Sequence, residues 1–132
     1  MRILKNAKGF TLLEILIVLV IIAVLAGLAV PAYTTAVEKS RKQEAYTTLG
    51  AVRGAQMRYF AGRNAFTAAY VDLDFDPTLA VTGNVVHYTY PAMGGGGATF
   101  TATATRNAVD RPAAVAAYVV TIIQDGTITS TY

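Results

Sequence analysis

The stretch Lys8-Gly-Phe-Thr-Leu-Leu-Glu-Ile-Leu-Ile-Val-Leu-Val20 sets one carboxylate, Glu14, at the entrance of a run that carries no charge from Ile15 to Tyr33. An α-helix rises 1.5 Å per residue, so this run spans about 28 Å, close to the ~30 Å hydrocarbon core of a bilayer. It is long enough to cross one. Pro31, inside that run, is the only proline before Pro77, and beyond the run the residues up to Gly62 are rich in Ala, Glu, Lys, Arg, Gln and Leu. These are helix formers, and the predicted element is a single helix from about Phe10 to Gly62, about 80 Å long.

The second half of that helix is amphipathic. At 100° per residue Ala45, Leu49, Val52, Gln56, Tyr59 and Phe60 share a face, with Arg53 and Arg58 off its centre. That face needs a partner. Glu38 to Glu44 carries charge on every side and reads as a collar between membrane and domain, with Glu38 and Lys42 an i,i+4 pair. Pro31 removes the backbone bond to the carbonyl of Gly27, so Gly27–Pro31 is expected to be a weak point of the helix, either a simple bend or a place that opens.

After Gly62-Arg-Asn64 turn and strand chemistry takes over, with Asp76-Pro77 and Gly83-Asn84 as breakers. Val85–Tyr90, Ala98–Thr105, Ala116–Ile123 and Thr127–Thr131 are rich in Val, Ile, Thr and Tyr and are predicted strands. Gln124-Asp-Gly126 is a hairpin turn that makes the last two antiparallel neighbours. Gly94 to Gly97 reads as a flexible connection, since it lacks the strand and helix context of a phosphate loop. The expected fold class is α+β: one long N-terminal helix, weakened at Gly27–Pro31, packed on a C-terminal antiparallel sheet of three or four strands.

Of the 132 residues 54% are apolar and 14% charged, which points to a membrane span or a heavily buried helix rather than to disorder. Arg2, Lys5 and Lys8 precede Phe10 and account for the net +3, leaving eight basic against eight acidic residues in the remainder. A phosphate-binding module keeps a basic excess in its folded part, so no specific nucleic acid partner is expected. There is no cysteine, hence no disulfide and no thiolate site. A secretory signal peptide, with Val30-Pro-Ala32 imitating a cleavage site, competes for the apolar run, but the run exceeds the usual 7 to 15 residues. Lys39, Arg41 and Lys42 balance the leading cations across the span, so orientation rests on long domains being translocated regardless of flanking charge, which leaves the N-terminus in the cytoplasm.

No catalytic constellation emerges. His87, the only histidine, lies in a predicted strand without a neighbouring acid or nucleophile and reads as a sheet residue. Asp72-Leu-Asp-Phe-Asp76 begins like a calcium loop, but Pro77 and Gly83 stand where glycine and glutamate are required. Alternation explains it, with Leu73 and Phe75 turned inward. The tyrosines lack the basic interleave of a stacking platform for single strands. The chain is read as non-enzymatic, with no cofactor and no metal.

Glu14 is the exception. A carboxylate in hydrocarbon costs about 3 kcal/mol and asks for a partner. Lys8 and Lys5 can hold it at the headgroup level. Alternatively, cleavage after Gly9 creates an α-amine on Phe10, and a 4 Å ion pair at an effective dielectric near 20 is worth about 4 kcal/mol before desolvation. That pair can form within one helix or between neighbouring helices shifted along their axes.

Lys8-Gly9-Phe10-Thr11-Leu12-Leu13-Glu14, followed by the apolar run and Pro31, resembles the class III signal of the type IV pilin superfamily, which includes type IV pilins and type II secretion pseudopilins. The resemblance covers Met1 to about Ala32. It implies that a membrane-embedded prepilin peptidase cuts between Gly9 and Phe10 and methylates the Phe10 amine, and that Glu14 neutralises that amine on an adjacent subunit. It implies loss of helicity near Gly27–Pro31 in the filament. The division it suggests is a leader at 1–9, a transmembrane and filament-core half-helix at 10–33 and a globular domain at 34–132, with helix 34–62, connecting loop 63–84 and sheet 85–132. Expected partners are the chain itself as a helical homopolymer, the peptidase and methyltransferase, inner-membrane pilus assembly machinery and, before assembly, the bilayer. The expected location is a single-pass inner-membrane protein that becomes an extracellular surface filament. Two departures bear on subtype: no disulfide can close a C-terminal loop, and Asp125 is the only acid after Asp110, where major secretion pseudopilins often bind calcium. The second favours a pilin over a pseudopilin. A plain membrane-anchored or secreted small domain is the remaining alternative.

Overall fold

The computed structural model describes residues 9–79, 87–108, 111 and 115–131. The leader residues Met1 to Lys8, the Gly83-Asn84 breaker, the start of the first predicted strand at Val85 and Val86, Asp110 and Tyr132 lie outside the described residues.

Helix α1 runs Leu12–Arg63. Thr11 caps its start: the Thr11 hydroxyl accepts the Glu14 amide at 3.2 Å and its carbonyl accepts the Ile15 amide at 3.3 Å. Thr and Glu three apart are the signature residues of a capping box, and the hydroxyl-to-amide half of it is formed here. At the other end Asn64 enters the left-handed region at φ 53° and donates its amide to the Phe60 carbonyl at 2.7 Å, which stops the helix. Between these caps the helix is uninterrupted through Gly27 and Pro31. The expected weak point is therefore not a break: one missing backbone bond is absorbed between helical turns on both sides, and the Pro31 carbonyl takes the hydroxyls of Thr34 and Thr35 at 2.9 and 3.0 Å.

The chain divides into two compact units, one ending at Val37 and the other beginning at Glu38. In the first, the apolar side chains of the helix are exposed on all sides. The second unit has a conventional core. Its helical part buries Ala45, Leu49, Val52 and Gln56, as the periodicity predicts, and Ala55 in addition, while Tyr59 and Phe60 are half-buried.

Five antiparallel strands are described in this unit: β1 Tyr88–Thr89, β2 Gly94–Gly96, β3 Thr99–Arg106, β4 Val119–Ile123 and β5 Ile128–Thr131. The order is β1-β3-β4-β5, and β2 pairs with β3 beside β1. Strict alternation along β3 turns Phe100, Ala102, Ala104 and Arg106 inward, and the matching set on β4 is Val120 and Ile122. These side chains cluster with Ala45, Leu49 and Val52 of α1 in one core. Register puts Thr103, Thr121 and Thr129 side by side on the opposite, uncharged face, with Thr105 and Thr131 in the next row.

The predicted hairpin is present. Gly126, at φ 94°, donates to the Ile123 carbonyl at 3.0 Å, and the Asp125 carboxylate takes the Thr127 amide at 2.7 Å. The glycine run needs correction. Gly94–Gly96 is a strand, not a flexible connection, paired with Thr101, Phe100 and Thr99. Gly95 has φ 87°, and a Cβ there would stand 2.7 Å from the Thr99 carbonyl oxygen. Gly97 exchanges two backbone bonds with Phe66, at 2.7 and 3.0 Å. Glycine is required by close backbone approach, and it pairs despite its poor strand propensity.

Candidate functional site at the head of the long helix

The candidate site is built by a short segment. Gly9 and Phe10 precede the cap, so both lie outside the helix, and Phe10 is 75% exposed. Glu14 stands in the first turn, its amide tied to Thr11. A carboxylate there is favoured by the positive end of the helix dipole. Around and beyond it Leu12, Leu13, Leu16, Leu19, Leu25 and Leu28 are at least half exposed. No ion pair to Glu14 forms among the described residues, and Lys5 and Lys8 lie outside them. Gly27 has open space around its α-carbon, and Pro31 is exposed. The structure thus brings Gly9, Phe10 and Glu14 to one end of an uncovered apolar helix and leaves Gly27 and Pro31 on the same helix, about four turns further on.

The other sequence candidates resolve into structure. Leu73 and Phe75 pack against the core as alternation predicts. Each flanking aspartate has its own protein donor: Asp72 takes the Thr67 hydroxyl at 2.7 Å, Asp74 takes Arg58 at 2.6 and 2.8 Å, and Asp76 takes the Thr78 amide and hydroxyl at 2.8 and 2.6 Å. They do not converge, and among the described residues no metal-binding cluster occurs. The backbone carbonyl of His87 accepts Asn107 and Arg106, next to β1.

The sequence reading missed a polar cluster inside the globular unit. Glu38, assigned above to a solvated collar, is buried, and Arg106 donates to both its oxygens at 3.0 Å while Arg41 adds a third bond at 2.8 Å. Arg106 also donates to the carbonyls of His87 and Asn107 at 2.9 and 3.1 Å, and its guanidinium lies 5.8 Å from the Tyr88 ring centre. The Arg106 pairing, with Arg41 beside it, holds the Glu38 carboxyl below its ordinary range against the opposing effect of burial. Lys42, the expected partner of Glu38, donates to the Ser130 hydroxyl at 3.3 Å and sits over the Tyr118 ring. The signal was available: Arg106 has the inward parity of Phe100, Ala102 and Ala104, and Glu38 lies one heptad before Ala45. Gln56 is the second buried polar group. Its amide gives to the Thr67 carbonyl at 2.6 Å and takes the Thr67 amide at 3.2 Å.

Residues 4–30 match the family model described as the prokaryotic N-terminal methylation motif. Residues 31–114 match the model described as type IV minor pilin ComP, DNA uptake sequence receptor. The fimbrial protein EcpC of Eikenella corrodens is 41% identical over 61 residues, 46% of this chain and 40% of that protein. The type IV major pilin protein PilA of Myxococcus xanthus is 32% identical over 105 residues, 80% of this chain and 44% of that protein. The type II secretion system core protein G of Escherichia coli is 46% identical over 59 residues, 45% of this chain and 41% of that protein. The chain spans less than half the length of these curated relatives. No solved structure matches it.

Proposed function

The chain belongs to the type IV pilin family, and on that premise we propose that it is a structural subunit that polymerises into an extracellular helical filament after a prepilin peptidase cuts between Gly9 and Phe10. One observation carries the reading: the uncharged helix from Ile15 to Tyr33 is uncovered all round, with a capped Glu14 at its head. Water is a poor neighbour for such a surface, so something must cover it. A bilayer does so before assembly, when the chain is a single-pass inner-membrane protein, and the same helices of other copies do so in the filament.

Within this reading residues 1–9 are removed, 10–33 form the core and 34–132 the outer shell. The cut turns Phe10 into an α-amine. N-methylation by the same enzyme leaves that amine basic, and the Glu14 of a neighbouring copy accepts it, which offsets the cost of a carboxylate in an apolar core. Gly27 and Pro31 mark where the helix has one bond fewer and can loosen as neighbours pack against it. The inner-membrane assembly machinery supplies the work of extraction. No catalytic role is assigned to any residue.

The test is Glu14→Ala in the full chain. Cleavage and membrane insertion are expected to persist while filament growth is lost, and normal filaments from this variant would overturn the pairing role. The match to secretion protein G favours a second reading, a secretion pseudopilin. Under the first reading the protein is recovered in fibres sheared from the cell surface, under the second only with membranes. The DNA-receptor wording of the matched family model is not carried across, because acidic and basic residues balance after Phe10. Salt-sensitive binding of duplex DNA by the full chain is accordingly not expected.

A further inference from the structure

The helical part of the globular unit is held to the sheet by two different kinds of contact. From Ala45 onward the seam is apolar, with Ala45, Leu49, Val52 and Ala55 buried. Within residues 38–44 only Glu38 is buried; residues 39, 40, 43 and 44 are exposed and Arg41 and Lys42 half-buried. This stretch is fastened by charge: Glu38 to Arg106, Arg41 to Glu38, and Lys42 to Ser130 and the Tyr118 ring. The Arg106 side chain is fully buried, and through His87 and Asn107 it also ties the start of β1 to the end of β3. Apolar burial holds whatever the charge state, whereas a buried ion pair holds only while both partners are charged and aligned.

We propose that Glu38 and Arg106 form a latch. When the pair opens, helix residues 38–44 leave the sheet and lose their backbone hydrogen bonds as one local unit, while the seam from Ala45 to Gln56 and the β4–β5 hairpin stay folded. The latch sits where the helix enters the globular unit, so it sets whether that first stretch of helix is fixed to the sheet or free. It does not depend on how the apolar half of the helix is used.

Native-state hydrogen exchange on the full chain in detergent micelles tests this, comparing wild type, Glu38→Gln, Leu49→Ala and the double variant Glu38→Leu/Arg106→Leu. Glu38→Gln is expected to lower protection about tenfold or more at residues 39–44, Tyr88, Arg106 and Asn107, and to leave Val120, Ile122 and the helix beyond Leu49 unchanged. Leu49→Ala is expected to lower protection across the whole globular unit together. The double variant, which replaces the pair by apolar contact, is expected to restore protection at 39–44. A uniform loss in Glu38→Gln, its global unfolding, or unchanged exchange at 39–44 would each overturn the latch.

Discussion

Glu38 lies 3.0 Å from Arg106 and 2.8 Å from Arg41 inside the globular unit, whereas Glu14 stands among exposed leucines with no cation partner among the described residues. Both are glutamates of one helix, and what differs is whether a countercharge stands beside them among the described residues. For Glu38 it does, and the consequence is a pH dependence of known sign. Its folded pKa is lowered, so its contribution to stability is present above the ordinary glutamate range and is lost as pH falls through the lowered value. The groups facing it are Arg106 from β3, Arg41 from its own helix and the Tyr88 phenol from β1. The stability of wild type against urea is expected to fall below about pH 4, and Glu38→Gln to show a shallower acid limb. Asp74 and Asp125 are also lowered but fully exposed, so the difference between the two proteins, rather than either curve alone, isolates Glu38. Gln56 gives a second residue-scale expectation. Gln56→Ala strands the buried backbone amide and carbonyl of Thr67 and is expected to cost about 2–4 kcal/mol in the same unfolding measurement, well above a surface substitution.

At the scale of elements, β2 is the informative case. Three consecutive glycines form a strand because the chain folds back on β3 too closely for any Cβ at Gly95. Gly95→Ala combines a positive φ with a 2.7 Å approach to the Thr99 carbonyl, and a loss of about 1–3 kcal/mol, with faster exchange of the amides paired between β2 and β3, is expected. Strand propensity reads side chains, and glycine has none, so this pairing was invisible to it. The longer elements were legible because their signals extend over many residues: the apolar run and a long stretch of helix formers placed α1 within two residues at each end, and Val, Ile, Thr and Tyr content with an Asp-Gly turn gave β3, β4 and β5. Glu38 and Arg106 were legible only in part. Glu38 reads as part of the charged collar and Arg106 falls just past the predicted strand Ala98–Thr105, although heptad spacing from Ala45 and the parity of Phe100, Ala102 and Ala104 point both inward; a pairing across 68 positions is not written in either local pattern.

At the scale of the whole molecule, the two units obey opposite rules. The unit from Glu38 hides its apolar side chains, while the one ending at Val37 displays them. Much of the candidate site was readable from Lys8-Gly-Phe-Thr-Leu-Leu-Glu14, and the structure adds the Thr11 cap that leaves Phe10 outside the helix. The proposed countercharge of Glu14, the Phe10 amine, is legible in the sequence; the single uncut chain does not display it, because in the proposed mechanism it belongs to a second copy and exists only after a covalent bond is cut. The proposed mechanism begins with the cut between Gly9 and Phe10. The direct measurement is mass spectrometry of the N-terminus of this protein recovered from sheared surface material. The expected result is a chain that begins at N-methylated Phe10. A chain that retains Met1, or one that begins at Tyr33, would contradict it.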